Sequence, residues 1–129
     1  IEQIRNSKIL IFCPSNPIIS INPILTVPGI KSAIVASNAM KIAISPIVND
    51  KAFQGPVLKL MQVKKLKPTV VGVAEFYKGI VNYLMIDEFD KKYIGKISET
   101  GIKPIVRNIK MRNKTISKAM SKSILDLIE

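Results

Sequence analysis

Short, wholly apolar runs alternate along the chain with stretches of helical spacing. Ile9-Leu10-Ile11-Phe12, Ile42-Ala43-Ile44, Tyr83-Leu84-Met85-Ile86 and Pro104-Ile105-Val106 read as buried strands, the first covering about residues 8–13. Ile30, Ala33, Ile34 and Ser37 follow helical spacing and predict a helix over 30–38. Gly55-Pro56 places a proline at the start of a helix over 57–64 that would turn Val57, Leu60 and Met61 to the sheet. Its basic end, Lys64-Lys65-Leu66-Lys67, suits the negative pole of the helix dipole. Residues 70–77 form a further helical run closed by Gly79, and 91–100 another that stops at Gly101. The last helix spans 115–128, with Ile116, Ala119, Met120, Ile124, Leu127 and Ile128 on one face and Lys118 and Lys122 opposite.

Strand and helix in alternation point to parallel strands, because consecutive parallel strands need crossover connections. The expected fold class is therefore α/β, a three-layer, Rossmann-like parallel sheet with helices on both faces. Ligands of such sheets bind beyond the carboxyl ends of the strands. Three polar loops fall on that edge, at residues 14–22, 45–55 and 87–90, and the prolines of the first are expected to keep it extended. The opening Ile1-Glu2-Gln3-Ile4-Arg5-Asn6-Ser7 reads as the tail of a helix with no methionine or capping residue ahead, so the chain is expected to be a piece of a longer protein.

At 129 residues the chain suits one domain burying roughly two-thirds of its unfolded surface. Residues 9–30 hold 22 positions without a charge, long enough to span a bilayer. Pro14, Pro17, Pro23 and Pro28 would break the helix, and Asn16 and Asn22 would lie unpaired in lipid, so no membrane segment is expected. A net charge of +11 raises the question of nucleic acid, yet the 17 lysines are scattered from Lys8 to Lys122 beside only 3 arginines and few aromatics. No nucleic-acid partner is expected; lysine and isoleucine, 40 of the 129 residues, indicate a compositional bias. The single cysteine, Cys13, excludes an internal disulfide and a cysteine-rich zinc site, points to a reducing cytoplasm, and is expected to be buried as a small apolar residue. Without histidine, Ser-His-Asp and Cys-His catalysis cannot occur within these residues.

The first loop offers Ser15, Asn16, Ser20 and Asn22, the second Lys51, and the third Asp87 and Asp90 at i and i+3. Hydroxyl and amide donors that cradle phosphate oxygens, a lysine that balances charge and aspartates that hold a hard cation suit a diphosphate with Mg²⁺. Phosphoryl transfer runs on positioning and charge stabilisation, so the lack of histidine does not forbid it. Each residue also has a plainer reading: Ser15-Asn16-Pro17 as a turn, Lys51 as a solvated lysine, Asp87, Glu88 and Asp90 as the acidic start of a helix, and Arg112 as a surface charge.

Taken in order, several motifs carry a resemblance. Pro14-Ser15-Asn16-Pro17 with Ser20-Ile21 and Pro23-Ile24-Leu25, then Ser45-Pro46-Ile47, Lys51-Ala52 and Gly55-Pro56, are followed by Gly72-Val73-Ala74 with Tyr77, Ile86-Asp87-Glu88 with Asp90, and Met111-Arg112. Together they resemble the carboxyl-terminal half of the 2-phospho-L-lactate transferase family, which makes the deazaflavin coenzyme F-420, over nearly the whole chain. The resemblance implies transfer of a 2-phospholactyl-type group from a guanosine-diphosphate-linked donor to the ribityl hydroxyl of 7,8-didemethyl-8-hydroxy-5-deazariboflavin, with release of GMP and help from Mg²⁺. It implies a cytoplasmic enzyme with small-molecule substrates, a homodimer being left open. Ser15, Asn16 and Ser20 would hold donor phosphates, Lys51 would balance their charge, and Asp87 and Asp90 would be the metal candidates; no catalytic residue is named. The family's glycine-rich nucleotide loop lies in its amino-terminal half, so these residues alone should form an incomplete sheet without activity. Asn49-Asp50 stands where the family has a glycine pair, Gln54 where lysine is common, Phe76 where histidine is common and Asn108-Ile109 where Asp-Thr is common. A related group of the same fold looks like a nucleotide-sugar-binding regulator without transferase activity, and it supplies the rival reading.

Overall fold

The computed structural model describes residues 1–53 and 55–127, so the packing expected of Ile128 and the departure at Gln54 lie outside the described residues. Among the described residues six strands form: β1 (Ile9–Phe12), β2 (Met40–Ile44), β3 (Ile47–Val48), β4 (Lys51–Ala52), β5 (Tyr83–Ile86) and β6 (Lys103–Val106). Four of them pair in the order β1-β2-β5-β6 as one parallel sheet, while β3 and β4 make a separate antiparallel hairpin. The helices are α1 (Glu2–Asn6), α2 (Asn22–Leu25), α3 (Ile30–Ala36), α4 (Val57–Val63), α5 (Val70–Tyr77), α6 (Ile94–Ser98) and α7 (Lys114–Leu125). The α/β architecture expected from the alternation is thus present.

Successive parallel strands that step in one direction, joined by right-handed crossovers, place their connecting helices on a single face. Leu25, Ile34, Met61, Val73, Tyr77 and Ile97, drawn from α2 through α6, accordingly pack together with Ala43, Leu84 and Ile86. The alternate strand positions, Ile42, Ile44 and Met85, point the other way and meet Met120 and Ile124 of α7. Three layers result, and Ile42–Ile44 of β2 and Leu84–Ile86 of β5 read as unbroken apolar runs because both faces there are covered. On the α7 side the cover does not reach all of β1, where Ile11 is 45% exposed.

Several expectations need correction. The first loop is not extended: Asn16 caps a wide π-helical turn, Pro17–Ile21, which runs directly into α2. Proline fixes φ near −65°, which suits the first turn of a helix as well as an extended segment, and Pro17 and Pro23 both occupy such first-turn positions. Cys13 is exposed rather than buried, because β1 ends at Phe12 and the thiol lies past the sheet edge. In α4, Leu58 rather than Leu60 packs against the core beside Val57 and Met61. The run at 91–100 begins earlier, as a 3₁₀ helix over Glu88–Tyr93 capped by the Asp87 side chain, before α6 takes over. The last helix, α7, ends at Leu125: Met120 and Ile124 are buried on it, Ala119 is exposed, and Leu127, in the turn beyond, packs partly against the buried pair.

Candidate functional site

Beyond the carboxyl ends of β1 and β2 lies a cavity of about 630 Å³ bordered by Ser15, Asn16 and Ser20 on one side and by Pro46, Phe53 and Met111 on the other. Three of the residues expected to hold phosphate are therefore brought together. Asn16 is the most constrained of them. Its Oδ1 accepts the amides of Ile18 at 2.9 Å and Ile19 at 3.4 Å, and its carbonyl accepts those of Ser20 and Ile21. Those bonds fix which end of the side-chain amide faces the turn. The other end, Nδ2, is buried and has no acceptor. A buried donor left unpaired costs roughly 1–3 kcal/mol, and Asn16 borders the cavity, so an acceptor bound there that reached Nδ2 would be stabilised.

Lys51 does not border that cavity. It lines a neighbouring one of about 450 Å³ together with Asn49, Lys110 and Arg112, and the two cavities share Phe53 and Met111 as a wall. One compartment is thus rich in neutral donors and the other in cations. Lys51 comes into place because the second polar loop folds back on itself as the β3–β4 hairpin. Asn49 and Asp50 form its two-residue turn with φ of 52° and 58°. Left-handed backbone at both positions is the pattern of a type I′ turn, which favours glycine and after it Asn and Asp. The Asn49-Asp50 departure from a glycine pair is consistent with this geometry. Ser45, 0% exposed, starts the loop by accepting the Ile47 amide on its Oγ and donating to the Ile47 carbonyl.

Asp87 and Asp90 border neither cavity. Asp87 Oδ1 accepts the Phe89 amide at 3.3 Å and Oδ2 the Ile109 amide at 3.2 Å. Both oxygens of Asp90 accept the Asn49 amide at 3.1 Å. The two side chains are 3% and 0% exposed, and no group of three His, Cys, Asp or Glu able to hold a metal is present among the described residues. Burial pushes the Asp90 carboxyl above its ordinary range; the Asn49 amide opposes that rise, while Asp50 and Asp87 add to it. As placed, the two aspartates do not fit a Mg²⁺ site, which needs oxygens open to water and phosphate.

The sequence marks Met111 and Arg112 only within the family pattern, with Arg112 otherwise a surface charge, and gives Lys110 no role. All three follow β6, so the rule that singled out the loops after the other parallel strands reaches this one too. Lys110 is further held by its Nζ, 4.3 Å above the ring of Phe89. Among the described residues no single helix is long and apolar enough to cross a membrane; the uncharged early run is bent by 85° between Pro17–Leu25 and Ile30–Ala36.

Residues 1–125 match the family model described as 2-phospho-L-lactate transferase CofD. The chain is 44% identical over 97 residues to a 2-phospho-L-lactate transferase of Methanocaldococcus jannaschii, covering 75% of this chain and 30% of that protein. It is 35% identical over 126 residues to a 2-phospho-L-lactate transferase of Methanococcus maripaludis, covering 98% of this chain and 39% of that one. To a phosphoenolpyruvate transferase of Streptomyces griseus it is 30% identical over 130 residues, covering 100% of this chain and 41% of that protein. The chain spans between 30 and 41% of the length of these relatives, and it belongs to the 2-phospho-L-lactate transferase CofD family.

Proposed function

We propose, from that family membership, that the protein containing this chain transfers a 2-phospholactyl-type group from a guanosine-diphosphate-linked donor to the ribityl hydroxyl of a deazaflavin, releasing GMP in the biosynthesis of coenzyme F-420. The observation that supports a diphosphate at this site is that Asn16, whose buried Nδ2 has no acceptor, borders the larger cavity together with Ser15 and Ser20. Ser15 and Ser20 add hydroxyl donors beside it, and the turn that holds them is fixed by the bonds of Asn16 to its own helix. Preorganised donors of this kind stabilise charge without reorganising during the reaction.

In this reading the acceptor hydroxyl oxygen forms a bond to the phosphorus that carries the lactyl group. The bond from that phosphorus to the bridging oxygen breaks, the electron pair leaves on GMP, and the hydroxyl proton passes to solvent. Charge on the transferring oxygens is met by the neutral donors of the first loop and by the field of Lys51, Lys110 and Arg112 in the adjoining cavity. Mg²⁺, when bound, would neutralise further diphosphate charge. Asp87 and Asp90 are not placed to reach it, so no residue of this chain is assigned to the ion. The single thiol fits the cytoplasm, and a homodimer is retained as the assembly to be tested.

The test is made on the full-length protein. Given the guanosine-linked donor, the deazaflavin and Mg²⁺, it should form the deazaflavin phosphodiester and GMP in equal amounts. Absence of phosphodiester together with tight calorimetric binding of a uridine diphosphate sugar would replace the transferase with the nucleotide-sugar-binding regulator.

A further inference from the structure

Asp90 is a carboxylate with no exposure whose two oxygens converge on one backbone amide, that of Asn49, 41 residues earlier. That amide opens the left-handed turn at Asn49 and Asp50. The next residue of the turn is held by the same element: the Asp50 carboxylate accepts the Tyr93 hydroxyl at 3.0 Å and Lys92 Nζ at 3.3 Å. Asp90, Lys92 and Tyr93 all belong to the 3₁₀ helix over Glu88–Tyr93, so one short, rigid piece grips both central residues of the hairpin. Immediately beyond the grip come Lys51, in the cationic cavity, and Phe53, in the wall common to both cavities.

A two-residue turn without glycine is intrinsically strained and is held in shape from outside. Asn49 is exposed and Asp50 half-buried, while the Asp90 side chain that accepts the Asn49 amide is 0% exposed, so on the protein side that bond is anchored in the interior. A hairpin that shifts at its tip carries its strands with it, and with them the Lys51 ammonium.

We propose that Asp90 is a positioning residue, which by holding the Asn49 amide sets where Lys51 and Phe53 stand against a bound diphosphate, in place of serving as a metal ligand. The ligand part of this inference rests on reading the cavities as a diphosphate site; the hairpin part does not. Asp90→Asn keeps an oxygen for the Asn49 amide but removes the negative charge a metal would need. Asp90→Ala removes both.

The experiment uses the full-length protein and two readouts, hydrogen exchange of the Asn49 amide and calorimetric binding of GDP with and without Mg²⁺. Asp90→Ala should lose protection at Asn49 and weaken GDP binding by about ten-fold, the range over which supporting residues act, while Asp90→Asn retains both to within about three-fold. The effect on GDP should persist when Mg²⁺ is left out. Unchanged Asn49 protection in Asp90→Ala would overturn the proposal whatever the protein binds. A loss of GDP affinity in Asp90→Asn that occurs only with Mg²⁺ present would overturn it in favour of a metal ligand. If Asp90→Ala does not fold, Asp50→Ala loosens the same turn from its exposed side: weaker GDP binding supports the proposal, and unchanged binding with a deprotected Asn49 amide overturns it. If the wild-type protein binds no GDP, the diphosphate reading has failed, and the exchange readout still decides the role of Asp90 in the hairpin.

Discussion

Asp87 and Ile109 are joined across the end of the sheet: Oδ2 of Asp87 accepts the Ile109 amide at 3.2 Å, and Ile109 is 0% exposed. Once the carboxylate is gone, that amide has neither a protein partner nor water. Asp87→Ala should therefore cost about 2 kcal/mol, the penalty for an orphaned buried donor, and Asp87→Asn less, since its oxygen still accepts. Glu88 is exposed, and Glu88→Ala should change stability by less than about 0.5 kcal/mol. Urea unfolding followed by circular dichroism measures all three; equal losses at the two acids would mean that they act only as the acidic start of a helix.

Gly72 lies inside α5, where almost every position is buried. A Cβ there would run into the carbonyl oxygen of Lys67 and come within 2.9 Å of its backbone nitrogen. Backbone cannot give way as a flexible side chain can. Gly72→Ala should destabilise by about 3 kcal/mol. Gly95 in α6 has nothing within 4 Å of the added carbon, and Gly95→Ala should stabilise by roughly 0.5–1 kcal/mol through helix propensity. Thermal unfolding midpoints should move in opposite directions for the two variants.

Tyr77 is 1% exposed, and burial, with a smaller push from Cys13, raises its phenol well above the ordinary value of 10.0. The folded phenol keeps a proton that the unfolded chain gives up. Stability that is complete below pH 10 should then fall as pH rises beyond it, by up to about 1.4 kcal/mol per unit for this one group. Urea midpoints measured across the alkaline range should show this slope in the wild type and a shallower one in Tyr77→Phe. Equal slopes would place the alkaline loss elsewhere.

What could be read from the chain, and what could not, follows from the reach of the interactions. The two central strands, β2 and β5, announce themselves because Ile42, Ala43, Ile44, Leu84, Met85 and Ile86 are buried on both faces of a parallel sheet and leave unbroken apolar runs, while the edge strands β1 and β6 are legible from their short apolar runs alone. The β3–β4 hairpin leaves no such mark, since strands of two residues each complete only one turn of the two-residue strand repeat and show no alternation. The helical first loop had its signal in Asn16-Pro17, an N-cap followed by a first-turn proline, which an extended reading of proline conceals. Asp87 is legible as the acidic start of a helix, which it caps through the Phe89 amide, but the long-range bonds of Asp87 and Asp90 are out of reach. A carboxylate whose partner is a backbone amide 22 or 41 residues away leaves nothing in the identity of that partner to betray the bond.

The two ends of the Asn16 side chain separate the cap from the ligand. Oδ1 serves the turn through Ile18 and Ile19, and Nδ2 serves nothing in the protein. Asn16→Asp preserves the acceptor, and Asp caps a helix about as well as Asn, so the fold should be retained. It replaces the spare donor with a second acceptor that carries negative charge. GDP binding to the full-length protein should weaken by at least about ten-fold, ~1.4 kcal/mol, while the thermal midpoint moves by no more than a few degrees. Asn16→Ala should lose both the cap and the donor, and so fall in stability and in affinity together. Asn16→Asp with wild-type affinity for GDP would detach the diphosphate from this wall and leave the unpaired amide as a feature of the turn alone.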